Sequence, residues 1–177
     1  MKHFLIVVDM QKDFVDGALG TKEAVAIVPN VVKKIESFEG EIFATLDTHG
    51  ENYMQTMEGK NLPVPHCIKG TPGWQLNEKV AAALEKKGYT AVEKVTFGAA
   101  QLPSLVMKAC GTEPCDIELI GLCTDICVVS NALLLKAVMP EVKISLDAAC
   151  CAGVTLASHQ AALETMRSCQ IRIENEG

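Results

Sequence analysis

The sequence contains no apolar run near the ~20 residues that a membrane-crossing helix requires. It has no basic run either. Lys and Arg number 16 against 22 Asp and Glu, for a formal charge of -6. Such a chain cannot neutralise a phosphate backbone, which argues against nucleic acid as a partner. The same deficit argues against anionic membrane surfaces. Lys2 and His3 precede five apolar residues and then Asp9, so charge returns too soon for a secretory leader. The expectation is a strand there, and a cytoplasmic protein. No internal repeat, low-complexity tract or linker interrupts the 177 residues. One domain over 1–177 is expected, long enough to bury a single core. The apolar share of 49% and charged share of 21% are ordinary globular values.

Common site templates are missing as well. There are eight cysteines but no C-x-x-C pair: Cys123 and Cys127 are four apart, Cys110 and Cys115 five. The structural zinc patterns therefore fail. A disulfide framework belongs to short secreted chains. Most of the eight read as packed, reduced thiols, since free Cys behaves as a small hydrophobe. Gly70-Thr71-Pro72-Gly73 lacks the phosphate-loop pattern and reads as a tight turn.

What the chain does have is alternation. Strands are expected at 4–8, 41–46, 90–93, 117–120, 142–146 and 171–173. Helices are expected at 25–38, 74–87, 102–110, 125–138 and 155–168. In the first helix Ile27, Val31 and Ile35 form one stripe, with Pro29 tolerated in the first turn. In the second, Leu76, Val80 and Leu84 do the same, and Gly88 follows the end. Residues 47–73 carry three prolines and no sustained period, a length of loop that is usually functional. Strands separated by helices imply a three-layer α/β/α, doubly wound, mainly parallel six-stranded sheet. Ligands of such sheets sit beyond the carboxyl ends of the strands.

That edge receives Asp9, then Asp47 and His49, then Lys94, then residues 121–127, then Asp147. Cys127 is the candidate nucleophile. Just inside a helix it meets free N–H groups and partial positive charge, which favour thiolate and can hold an oxyanion. Lys94 adds a cation, and Asp9 a base. Cys123, in the strand-to-helix turn, competes for the role, and either could be one more packed thiol. Asp47 and His49 share a side of an extended segment, and His66 ends the long loop. Two imidazoles and a carboxylate suit zinc, iron or manganese, and Glu58 could add an oxygen. The plainer alternative makes Asp47 a turn cap and the histidines surface residues. Phe14, Trp74 and Phe97 lie nearest the edge and could wall a flat substrate or close the core.

Four ordered blocks turn these pieces into a resemblance. They are Val8-Asp9-Met10-Gln11-Lys12-Asp13-Phe14, Asp47-Thr48-His49 with Pro65-His66-Cys67-Ile68-Lys69-Gly70-Thr71, Glu93-Lys94, and Gly121-Leu122-Cys123-Thr124-Asp125-Ile126-Cys127-Val128. Over nearly its whole length the chain resembles the isochorismatase-like cysteine hydrolases, and among them the nicotinamidases. The resemblance implies strand order 3-2-1-4-5-6 and a triad of Cys127 (nucleophile), Asp9 (general base and acid) and Lys94. It implies an oxyanion hole from the backbone amides of Cys123 and Cys127, with a cis peptide at 122–123. It implies a divalent metal, usually zinc, on Asp47, His49 and His66, with Glu58 placed to join, and no organic cofactor. The implied reaction converts nicotinamide and water to nicotinic acid and ammonia, a step of NAD salvage. A homo-oligomer is also expected. Residues 61–64 lack an aromatic where many relatives carry one, so Trp74 or a second subunit is expected to supply it. Rival readings are a hydrolase for another small amide or an isochorismate-type substrate, and a non-catalytic thiol-sensing protein.

Overall fold

β1 (Lys2–Val8) runs through the middle of the sheet, and Phe4 to Val8 are fully buried. Its side chains alternate between two cores, as the two-residue strand period requires. Phe4, Ile6 and Val8 enter one core, Leu5 and Val7 the other. An uninterrupted apolar run is what a parallel strand covered on both faces needs. The computed structural model describes residues 1–176.

Among the described residues, β1, β2 (Glu41–Asp47), β3 (Thr90–Lys94), β4 (Cys115–Leu122), β5 (Lys143–Ala152) and β6 (Arg172–Glu174) form one sheet. Its order is β3-β2-β1-β4-β5-β6, with every pairing parallel. The chain thus has the expected order. The order reverses between β2 and β4 beside β1, and a crevice forms at such a point.

The first core is covered by α5 (Leu102–Cys110), α6 (Val129–Val138) and α7 (Leu156–Ser168), through Val106, Leu135 and Leu163. The second is covered by α2 (Lys22–Ser37) and α4 (Glu78–Lys87), through Ile27, Val31, Ile35, Val80 and Leu84. Thr155 caps α7 in a reciprocal box with Ser158. Gly88, at φ +80°, ends α4.

Several boundaries differ from expectation. α2 starts at Lys22, capped by Thr21, so Pro29 lies in the helix interior, not its first turn. The helix expected from 74 begins only at Glu78, capped by Asn77, because Leu76 bridges to Gln11 in an extended segment. The 47–73 stretch is not structureless: α1 (Lys12–Val15) packs beneath it near a 3₁₀ turn at Pro72–Trp74, and it holds a second 3₁₀ turn, Tyr53–Gln55, and α3 (Met57–Asn61). β5 continues to Ala152 past a register shift against β4. Asp147 therefore lies within the strand, paired to Lys34 at 2.8 Å, and not at the ligand edge.

Candidate active site

The carboxyl ends of β1, β2, β3 and β4 converge as the topology demands. Asp9 follows β1 at φ +47°, and Thr45 Oγ1 of β2 donates to its Oδ1 at 2.6 Å. Lys94, the last residue of β3, places its ammonium 2.7 Å from Asp9 Oδ2. That contact is an ion pair between two buried groups. The same ammonium donates to Cys127 Sγ at 3.4 Å, Asp47 Oδ1 at 3.3 Å and the Thr96 carbonyl at 3.0 Å. Asp9, Lys94 and Cys127 are all buried.

Cys127 does not occupy the first turn of a regular α-helix. It lies in a π-helical turn, Thr124–Val128, that feeds α6. The Leu122–Cys123 peptide before it is cis. The Cys123 carbonyl accepts the Ile126 and Val128 N–H groups, at 3.1 and 3.0 Å, and passes over Cys127 between them. The N–H of Cys123 has no acceptor among the described residues. Gly121, at φ +119°, lies against the Val8 carbonyl, which leaves no room for a Cβ.

Burial first, then the Asp9 carboxylate, push the Cys127 thiol well above its ordinary range, with Lys94 opposing. Desolvation thus outweighs the single cation, where the sequence led to an environment that favours thiolate. Burial likewise raises Asp9 against the pull of Lys94. Lys94 itself is held charged: burial works against it, but Asp9, Cys127 and Asp47 raise it further. A buried thiol beside a buried carboxyl group suits chemistry in which the proton leaves sulfur during attack. Burial and nearby carboxylates raise Cys123 to about 12, so its side chain is inert at neutral pH.

Beyond Lys94, four ligand-type atoms from Asp47, His49, Glu58 and His66 lie within 4.8 Å of one another. His49 Nε2 is 2.9 Å from Asp47 Oδ2, and His66 Nε2 is 3.4 Å from it. Glu58 Oε1 lies 3.7 and 3.6 Å from the same two ring nitrogens. His66 Nδ1 donates to the Val64 carbonyl at 2.8 Å, which leaves its Nε2 lone pair facing the cluster. Burial favours the neutral form of Asp47, but the adjacent His49 and His66 rings and the Lys94 ammonium hold it well below the usual carboxylate range. Two imidazoles and two carboxylates around one buried point fit a borderline divalent cation. The histidines are buried, not surface loop residues.

A domain model described as Isochorismatase domain matches residues 3–175. The chain belongs to the isochorismatase family. This isochorismatase-family hydrolase is 26% identical over 185 residues to the nicotinamidase/pyrazinamidase of Mycobacterium tuberculosis, with 96% of each chain covered. Its fold superposes on the crystal structure of a nicotinamidase/pyrazinamidase from Bacillus subtilis with a TM-score of 0.84, 26% identity and coverage of 98% and 99%. It also superposes on a pyrazinamidase of Pyrococcus horikoshii in complex with zinc, with a TM-score of 0.78, 28% identity and 98% of each chain covered.

The aromatics of the isochorismatase-family hydrolase divide. Phe14 packs 5.4 Å from the His66 ring. Trp74 donates its indole N–H to Thr48 Oγ1 and lines an outer groove of about 510 Å³ whose walls include none of the triad or cluster residues. Phe97 is 44% exposed. Two residues escaped the sequence reading. Tyr53, fully buried, sits 4.9 and 5.1 Å from the His49 and His66 rings. Gln11, also buried, accepts the Asp47 N–H at 2.8 Å and donates to the carbonyls of Asp47 and Trp74, both at 2.8 Å. Only its place in the opening block marked it.

Proposed function

We propose that this protein is a metal-containing nicotinamidase that hydrolyses nicotinamide to nicotinic acid and ammonia through a thioester on Cys127. One observation carries the reading. A single buried ammonium, Lys94, touches the nucleophile, the carboxyl partner and a member of the four-ligand cluster at once. A carboxamide at Cys127 and a ring nitrogen at the cluster are then held by one rigid frame, which suits a small pyridine amide. The nicotinamidase and pyrazinamidase relatives and the zinc-bound neighbour support it.

Asp47, His49, His66 and Glu58 would hold the metal, zinc in this reading. When bound, it supplies a Lewis-acid site for the pyridine nitrogen. The remaining chemistry belongs to the chain. Asp9 takes the Cys127 proton as sulfur attacks the carboxamide carbon. The Cys123 and Cys127 amides hold the oxyanion that forms. Asp9 returns the proton to nitrogen, the C–N bond breaks and ammonia leaves. Asp9 then removes a proton from water, hydroxide attacks the thioester, and sulfur leaves as the thiol. Lys94 stays charged throughout and offsets the negative charge passed between sulfur and carboxylate. Phe14 and Tyr53 flank the ring.

Chromatography of nicotinamide incubated with purified protein tests the assignment. Nicotinic acid in equal amount to the nicotinamide consumed is the expected result. Unchanged nicotinamide, with another small amide turned over, would replace the substrate while leaving the machinery in place.

A further inference from the structure

Asn131 lies one helical turn beyond Cys127, on α6, and is fully buried. Its amide is shared among three main-chain groups. Asn131 Nδ2 donates to the Cys127 carbonyl at 2.8 Å and the Phe97 carbonyl at 3.3 Å. Asn131 Oδ1 accepts the Ala99 N–H at 2.9 Å. The orientation of the amide is forced, because a backbone N–H can only donate and a carbonyl can only accept.

Two of those groups belong to the segment that follows β3. It begins at Lys94, whose ammonium also donates to the Thr96 carbonyl. Its exposed side chains do not anchor it: Val95 is 79% exposed and Phe97 is 44% exposed. Ala99, at its far end, is buried. The third group is the nucleophile's own carbonyl. Asn131 therefore joins the strand end that carries the cation to the turn that carries the thiol.

We infer that Asn131 is a positioning residue that sets the approach of Lys94 to Cys127. The inference rests on the triad reading above but not on the identity of the amide substrate. Neither neighbour in size can replace it. Asp would aim a carboxylate at two carbonyls, and Leu would leave all three main-chain groups unpaired in the core.

Asn131→Ala and the milder Asn131→Ser, neither of which adds a charge beside Cys127, separate positioning from mere stability. Lys94 favours the charged form of Cys127, while Asp9 and Asp47 oppose it. The pH dependence of Cys127 alkylation, located by mass spectrometry, reads that balance without any substrate. Loosening the segment changes access, which rescales the rate at every pH. Misplacing Lys94 moves the midpoint. The expected result is a midpoint raised by about one unit in either folded variant. With nicotinamide, kcat per folded site should fall about tenfold or more while KM stays within about twofold. A lower melting temperature with an unmoved midpoint and wild-type kcat per folded site would overturn the inference. A shifted midpoint in a protein that leaves nicotinamide untouched would uphold Asn131 and remove only the substrate.

Discussion

At the scale of single residues, the fold separates side chains that composition could not. Cys123 and Cys127 are both candidates by spacing, and periodicity cannot rank them. In the fold, Cys127 Sγ meets Lys94, while the Cys123 thiol is raised to about 12 by burial and nearby carboxylates. Cys127→Ala should therefore abolish turnover with an unchanged circular-dichroism spectrum, and Cys123→Ala should keep activity within about tenfold. Activity lost equally in both would show that the thiols are packing elements. Gln11 makes a second case. It holds both main-chain groups of Asp47. Gln11→Ala should weaken metal binding about 10- to 100-fold, as read by competition with a chelator of known affinity. An unchanged affinity would mean that Asp47 is held by Lys94 and the imidazoles alone.

At the scale of elements, the clearest constraint is the close pairing of β1 and β4 at their carboxyl ends. Gly121 pairs with Val8, and a Cβ at its φ of +119° would strike the Val8 carbonyl. Gly121→Ala should cost about 2 kcal/mol or more in urea unfolding, because a strained backbone and a steric clash add. A cost under about 0.5 kcal/mol would mean that the strand ends can part freely. The same scale shows what was legible in the sequence. The buried stripe of α2 was plain from Ile27, Val31 and Ile35, and the run from Phe4 to Val8 announced a doubly covered strand. Asp47 and His49 shared a side by simple alternation. The far half of β5, Asp-Ala-Ala-Cys-Cys-Ala, was not legible, since little in it favours a strand over a loop. α3 was too short to show a period, although its Thr56 cap brings Glu58 toward the histidines. The π turn left no trace, because its register is set by the contacts around Cys127. The strand ends already put forward Asp9, Lys94, Cys127 and the cluster residues as candidates, the ordered blocks ranked Cys127 above Cys123, and the contacts of Tyr53, Gln11 and Asn131 came only from the fold.

At the scale of the whole molecule, the ligand edge is tied to both faces of the sheet. His159 of α7 shares a 2.7 Å hydrogen bond with Thr124 at the start of the turn that carries Cys127. Burial holds this imidazole below its ordinary value, against Asp125 and Glu176. The unfolded chain takes up that proton near pH ~6.5, while the folded protein resists it. Stability from this group is therefore intact above ~6.5 and lost as pH falls through that value toward the lower folded-state value. The stability advantage of wild type over His159→Asn, measured in urea at pH 7.5 and 5.5, should shrink at the lower pH. A gap that stays constant would remove His159 from the pH response. Among the described residues no helix is long and apolar enough to cross a membrane. The central claim joins a thiol and a metal cluster in one amide-cleaving site, and ammonia release from nicotinamide tests it most directly. The assay runs on the purified protein as isolated, after chelation, and after zinc is restored. The account predicts release that falls with chelation and returns with zinc. Undiminished release from protein shown by elemental analysis to be metal-free would contradict it.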